Sequence, residues 1–510
     1  MRTLPAPANI LIVLSRILVA SAIFYFASRT YVDPDLWWHL KSGLNMWQSK
    51  IITFSDPYSF LTFNSHWINH EWLFEVVIAA IYSSFGWFGL VVFKAFLSLT
   101  ILLLIFPLLK SWELDDFGIG LLLLLIALFL TLLAIAVRPH LISGVFLTIL
   151  LLFLRGFPKR AHSLFLLPLI FLFWVNLHGG FIIGLLTLLA YAVIYTFLNP
   201  TIELRKSITL LWAITLICWL ISLVNPYGLE LPLLVINSCI MPHPNITEWQ
   251  PIEFLSAPGI LWAIVVVISI LSLGAYKGPK NLTRIILWFP FAAAPLVSVR
   301  YFSFFAITTV LLIGEHLIFM WKPVRKSKSM LTKWGGIDIA FALTSIVISL
   351  LLIAFTLSFY VNPRIAPGTE IPKVAMGLLK CAKIKGNLLV DFDWGGYAIW
   401  HLYPDLKVSI DGRGEVVYSP RALLANTLFT SGTGSWDYIL NNFPIDAILT
   451  RNSSPACNLM KLKPRWELVY NDNMSAIFLP INSPKLLETK NILSQISIEN
   501  QAKQLQLPIF

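Results

Sequence analysis

Acidic, histidine and arginine residues stand in short clusters along an otherwise apolar chain. The first, DPDLWWHL, holds Asp33, Asp35 and His39. Asp56 follows in SDPYS, then His66, His70 and Glu71 in HWINHEW. Further on are Arg138 and His140 in VRPH, His178 in NLHGG, Asn225 in NPYG, His243, Glu248 and Trp249 in PHPNITEW, and Arg300. A carboxylate among such groups can take a proton from an attacking hydroxyl or amine. An arginine offers a planar fork that pairs with phosphate oxygens.

Each residue also has a plainer role available. Asp35 and His39, four apart, share a face if the segment is helical, so His39 could orient Asp35. Asp33 before Pro34 has the form of a helix N-cap. Arg138 and Arg300 could hold a phosphate or reach out to lipid headgroups from helix ends. His178 could bind phosphate or fix the Gly179-Gly180 turn. His39, His70, Glu71 and an Asp could ligate a divalent cation, or they could form a hydrogen-bonded loop. The HE pair is not a zinc motif, because Phe74 stands where the second histidine belongs.

The elements that must position these groups follow from composition. The chain is 57% hydrophobic and only 12% charged, with 36 Phe and 19 Trp. A soluble chain carries about twice that share of charge, so lipid replaces water over much of the surface. Apolar stretches at 9–28, 87–109, 118–137, 140–155, 162–177, 181–198, 207–224, 260–275, 284–299, 301–320 and 336–360 give about eleven spans. The apolar stretch 72–85 is too short to cross and reads as an interfacial helix. Trp37, Trp38, Trp47, Trp67 and Trp72 suit an aromatic belt.

The net charge of +11 does not point to nucleic acid, because the basic residues sit in short loops between spans. With the N-terminus inside, the inner loops collect Arg155, Lys159, Arg160, Arg205, Lys206, Lys277, Lys280, Arg284 and the lysines and arginines of 322–333. The polar clusters then fall almost entirely outside, and an odd number of spans places the C-terminal region outside too. Transporters keep ionisable groups near the membrane midplane. Here the expected site lies at the membrane surface.

The chain divides by composition into a membrane domain, 1–360, with a long first outer loop at 29–86, a soluble domain, 361–485, and a polar tail, 486–510. In the soluble domain 387–391, 406–410, 446–450, 466–470 and 475–479 read as strands. Helical stretches at 373–384, 420–430 and 434–442 make it a small α/β domain. Asp391, Asp393, Asp411 and Arg413 lie at strand ends, where α/β folds place ligands. Gly395-Gly396 is expected to turn before the next helix. No dinucleotide fingerprint or P-loop is present. Cys381 and Cys457 could pair if the domain is extracytoplasmic.

One span, a long first outer loop opening with an acidic motif, a short amphipathic helix and a second span: this layout resembles the GT-C class of membrane glycosyltransferases. The class includes protein O-mannosyltransferases, the aminoarabinose transferases of lipid A and oligosaccharyltransferases. DPDLWWHL, the DPYSF segment, HEWLFE, NLHGG, DWGGY and IDGR are also similar to a set of bacterial membrane proteins grouped with that class. The resemblance implies that Asp35, in PDL, acts as base or acceptor-orienting group. Leu36 stands where a second acid often does, which leaves Asp33 or Glu71 as the second carboxylate. VRPH stands where the class commonly has an acid before its fourth span.

The fold expected is therefore an α-helical polytopic membrane domain with a small extracytoplasmic α/β domain. The function expected is transfer of a sugar from a polyprenyl-phosphate-type lipid donor to a glycan, lipid or protein acceptor, in a bacterial inner membrane. Asp35, with Asp33 and His39, would form the catalytic group. Arg138, His140, His178, Arg300, His70 and Glu71 would bind the phosphate, and Glu248, Trp249, Asp411 and Arg413 lie on the acceptor side. The residues assign no certain cofactor, and the divalent cation stays open as above. A non-catalytic lipid-glycan scaffold is the alternative, followed by a transporter.

Overall fold

The computed structural model describes residues 30–111, 136–241, 247–319, 363–365, 369–495, 505 and 508–509. The expected spans at 9–28 and 336–360, most of that at 118–137, and His243 lie outside them. The chain forms two compact units, one of residues 1–30 and 88–362, the other of residues 31–87 and 363–510. The long first loop thus groups with the C-terminal region rather than with the spans.

In the second unit, Tyr31–Val32 (β1) pairs in parallel with Arg364–Ile365 (β2). Helix α1, Pro34–Ser49, follows. Asp33 caps it, accepting from the Asp35 amide at 3.0 Å, with Pro34 in the first turn. That pairing satisfies an N-terminal donor and uses proline where its missing N–H costs nothing. Lys50, in the left-handed region at φ 59°, ends the helix.

Helix α2, Trp72–Ser111, is broken at Gly86 (φ 58°, ψ −150°), at the junction of the two units. An L side chain rarely adopts that conformation, so glycine sets the break between the 72–85 and 87–109 stretches. Gly43 brings α1 against α2: a Cβ there would overlap the Glu75 carbonyl.

The C-terminal part of this unit is a five-stranded mixed sheet in the order β4-β3-β5-β7-β6. Its strands are Gly386–Val390 (β3), Leu406–Val408 (β4), Ala447–Arg451 (β5), Trp466–Asn471 (β6) and Ser475–Pro480 (β7). β3 runs parallel to β4 and β5, and β7 is antiparallel to β5 and β6. Leu389, Ile448, Phe478, Phe429 and Met460 form a core on this sheet. The first-loop segment 58–60 lies along the edge strand β4: Val408 N–H donates to Tyr58 O and Phe60 N–H to Val408 O, both at 3.0 Å. An edge strand left bare would present unpaired backbone groups; here the first loop satisfies them.

Gly395 and Gly396 lie inside the helix Phe392–Leu402 rather than in a turn before it. A Cβ on Gly395 would strike the Ile410 carbonyl, and one on Gly396 would crowd Pro34 O. The glycines therefore bring this helix onto α1 and the strand-end loop after β4. Trp37 and Tyr397 meet edge to face across the helix pair, centroids 5.0 Å apart. Cys381 is exposed, Cys457 buried, and both are free. The tail begins with the helix Leu486–Gln495, and the Pro508 and Ile509 carbonyls accept from Tyr397 and Trp37 at 2.8 and 3.0 Å.

The other unit is a bundle of apolar helices. Next come α3 (His140–Gly156), α4 (Leu167–Leu177), α5 (Phe181–Leu198), α6 (Arg205–Ile221), α7 (Glu230–Ile240), α8 (Ala257–Ala275), α9 (Leu282–Ala293) and α10 (Phe302–Thr308). After α10 the chain continues through a π-helical stretch, Thr309–Ile313, into α11, Gly314–Phe319. Four described helices are long and apolar enough to cross a membrane, and the protein is an integral membrane protein. The apolar α7 lies between the expected spans 207–224 and 260–275. Lys94 is fully buried on α2, so the spans are not wholly without ionisable side chains.

Replacing Gly43 by alanine forces α1 away from the Glu75 carbonyl. The expected cost is about 1–3 kcal/mol, read as a lower thermal midpoint of the purified full chain in detergent.

Candidate functional site

The acidic loop motifs and the C-terminal motifs meet within the second unit. Arg413, at the end of IDGR, is fully buried. Its Nε and Nη2 donate to Asp411 at 2.8 and 2.6 Å, and its Nη1 donates to Asp56 at 2.6 Å. Tyr418 adds a hydroxyl bond to Asp411 at 2.5 Å. The guanidinium also lies over the Trp67 and Tyr58 rings, 4.8 and 5.2 Å from their centroids. Burial disfavours its charge, but Asp411 and Asp56 outweigh that and raise its pKa well above the usual value. Asp411 and Arg413, taken from the sequence as acceptor-side candidates, thus pair with each other and with the first loop.

Asp35 sits in the first turn of α1, half-buried. Its Oδ1 accepts from Trp38 Nε1 at 3.3 Å and lies directly against Gly412, whose missing side chain leaves room for it. Asp33 is occupied as the N-cap. His39 does not form its side-chain hydrogen bond with Asp35: its Nδ1 lies 3.1 Å from Glu75 Oε1, and its Nε2 lies 3.6 Å from Glu71.

Glu75 is the residue missed from the sequence, although it closes the HEWLFE motif one helical turn after Glu71. It is wholly buried and also accepts from Ser42 and Asn69, each at 2.6 Å. Burial disfavours a charged His39, but the Glu75 hydrogen bond and the charges of Glu71, Glu75 and Asp35 raise its pKa above the ordinary value. His70 lies 3.5 Å from Glu71. These groups are matched to each other. Among the described residues no three His, Cys, Asp or Glu side chains are arranged to hold a metal ion.

At the ends of β3 and β5, Asp391 accepts from Thr450 at 3.2 Å and lies 3.2 Å from Arg451. Burial pushes its carboxyl up to about 6, against the opposing charge of Arg451.

The other unit holds a second polar group. Arg138 and Arg300 flank Glu248: Arg138 Nη1 hydrogen-bonds it, and Arg300 Nη1 lies 4.0 Å away. Burial favours the neutral acid, but Arg138, Arg300 and then His140 hold Glu248 below the usual carboxylate range. Arg300 also stacks over Trp249, 4.8 Å from the ring centroid. The three charged side chains are 29–36% exposed, so the group is reachable by a ligand. Two cations share one anion, which leaves a surplus positive charge suited to a phosphate oxygen.

His178 belongs to a separate buried set. Its Nδ1 lies 2.6 Å from Ser143 Oγ and accepts from Gly180 N–H at 3.1 Å, while Trp174 donates to Ser143 at 2.7 Å. His178 is therefore tied into the Gly-Gly turn. Asp35, Asp33, His39, His70, Glu71, Asp411 and Arg413 lie in one unit; Arg138, His140, His178, Glu248, Trp249 and Arg300 lie in the other.

No family model and no curated protein matches the chain. Among solved structures, the apo oligosaccharyltransferase of Archaeoglobus fulgidus has a TM-score of 0.58 at 11% identity, over 86% of this chain and 69% of that one. The same enzyme tethered to an acceptor peptide containing the NVT sequon has a TM-score of 0.52 at 11% identity, over 86% and 68%. ArnT from Cupriavidus metallidurans bound to undecaprenyl phosphate has a TM-score of 0.48 at 14% identity, over 92% and 98%. The fold is that of the GT-C membrane proteins.

Removing Arg413 strands two buried carboxylates. Arg413→Ala is expected to cost about 3–5 kcal/mol, measured by thermal unfolding of the full chain. The raised His39 pKa makes a pH prediction. Its stabilisation is complete below the ordinary histidine value of 6.5 and fades as pH rises through the raised value in the fold. The thermal midpoint should fall across that rise in the wild type and stay flatter in His39→Gln.

Proposed function

We propose that this GT-C-fold chain is a membrane glycosyltransferase that moves a sugar from a polyprenyl-phosphate-type lipid to an extracytoplasmic acceptor. The observation that carries the reading is the Arg138–Glu248–Arg300 group. It is partly exposed, carries a surplus positive charge and lies at helix ends of the apolar bundle. A lipid-linked donor presents a phosphate to such a group, and neutralising the leaving phosphate lowers the barrier to transfer. Trp249, stacked on Arg300, offers a face for a sugar or acceptor group.

Asp35 is assigned the role of base. It is the acidic side chain of DPDLWWHL that does not cap the helix, and it is half-exposed, unlike Glu75. As a base, a carboxylate takes the acceptor proton as the new glycosidic bond forms and the bond to the phosphate breaks. His39 supports it as part of the neighbouring charge network. A bacterial inner membrane, with residues 363–510 on its outer side, fits the basic loops at 155–160, 205–206 and 277–284. The second reading, a non-catalytic lipid-glycan scaffold, draws on the close packing of Asp35 under Gly412 and Trp38.

Two measurements separate the readings. Undecaprenyl phosphate binding to the purified chain should weaken about tenfold or more in Arg138→Gln/Arg300→Gln. Asp35→Asn should keep that binding and lower glycan product in membranes by about 10²–10⁴-fold. Full product from Asp35→Asn at normal expression would leave only the scaffold.

A further inference from the structure

The apolar bundle carries a second arginine–glutamate–arginine group at its other end. Arg155, in the last turn of α3, hydrogen-bonds Glu315 through Nη2 and the Leu311 carbonyl through Nη1, the latter at 2.8 Å. Arg284, near the start of α9, places Nη2 3.1 Å from the other oxygen of Glu315. The polarity of the helices separates this group from Arg138, Glu248 and Arg300. α3 starts just after Arg138 and ends at Arg155. α9 carries Arg284 in its first turn and leads toward Arg300, and the run from α10 to α11 starts after Arg300 and reaches Glu315. α3 alone has 17 residues, about 25 Å at the usual rise, close to the thickness of a bilayer's hydrocarbon core.

Among the described residues, two buried atoms here have no partner. Arg284 Nη1 and His316 Nε2 are both out of contact with solvent and make no hydrogen bond. The other His316 ring nitrogen lies 3.3 Å from the Ile313 carbonyl, and Tyr276 packs edge-on to the ring at 4.7 Å. Arg284 and Lys280 are both near enough to act on the ring electrostatically. A buried guanidinium N–H without an acceptor is costly, and two guanidiniums on one carboxylate leave a positive surplus. The carbonyl that Arg155 holds belongs to the π-helical stretch Thr309–Ile313, a distortion often found at functional sites.

We propose that Arg155, Arg284 and His316 form a binding site for a phosphate-bearing anion at this end of the bundle, separate from the group around Glu248. One phosphate oxygen accepts from Arg284 Nη1. His316 Nε2 donates to a second oxygen when its ring is protonated, or accepts from a P–OH when it is not. Glu315 keeps the two arginines together while the site is empty. The anion is either the headgroup of an acidic phospholipid or a free phosphate.

The test compares the full chain in nanodiscs of phosphatidylcholine with and without phosphatidylglycerol, and in detergent with inorganic phosphate. Thermal midpoint and co-purified phospholipid are both read. Phosphatidylglycerol should raise the wild-type midpoint, and Arg284→Gln should lose that rise and retain about tenfold less of the lipid. Arg284→Lys should keep part of both. A rise with inorganic phosphate alone, lost in Arg284→Gln, identifies the free anion as the ligand. Equal responses of wild type and Arg284→Gln to both probes overturn the proposal. If Arg284→Gln does not fold, His316→Gln replaces it and should lower lipid retention in the same assay; unchanged retention there overturns the proposal equally.

Discussion

The guanidinium of Arg413 is the constraint on which the second unit depends. A buried arginine is tolerable only if its donors are met by matched acceptors, because the desolvation cost of its charge is several kcal/mol. Asp411 supplies a two-point partner from the same turn, and Asp56 supplies a third contact from 357 residues away in the chain. Satisfying that one cation therefore fixes the long first loop on the C-terminal sheet. It also sets the position of the turn between Asp411 and Arg413, so that Gly412 lies against the Asp35 carboxylate. The orientation of the proposed base is thus a consequence of an ion cluster that does not itself react.

A parallel economy of charge holds His39. Its ring is buried beside two glutamates, and Glu75 gathers Ser42, Asn69 and His39 around one carboxylate. The network joins α1 to α2 through polar contacts in a part of the molecule where Gly43 allows the backbones to approach. Close packing and hydrogen bonding therefore support each other: the glycine permits the distance at which the histidine and glutamate can bond.

In the helical bundle the same device appears twice. A glutamate between two arginines cancels part of a repulsion that would otherwise push the cations apart, and it leaves a remainder of positive charge. Glu248 does this for Arg138 and Arg300, and Glu315 for Arg155 and Arg284. Exposure differs between the two: the first group is about a third exposed, whereas Arg155 and Arg284 are 13% and 15% exposed. A charge that is mostly buried has more to gain from a matched anion, which is why an unpartnered nitrogen matters more at the second.

What could be read from the chain itself was local. Apolar runs of span length, the Asp33–Pro34 helix start, the break between 72–85 and 87–109, and the five strands of the C-terminal domain all follow from neighbouring residues. Caps, periodicity and hydropathy act over a few positions, so their signals survive in one dimension. The pairing of Arg413 with Asp56, the choice of Glu75 over Asp35 as the hydrogen-bond partner of His39, the helical Gly395 and Gly396, and the grouping of residues 31–87 with the C-terminal region were decided only in three dimensions. Each depends on which distant backbone or charge arrives at a buried position. Nothing in the spacing of the residues records that, because the cost of burying an unmatched polar group is levied only once the chain has closed around it.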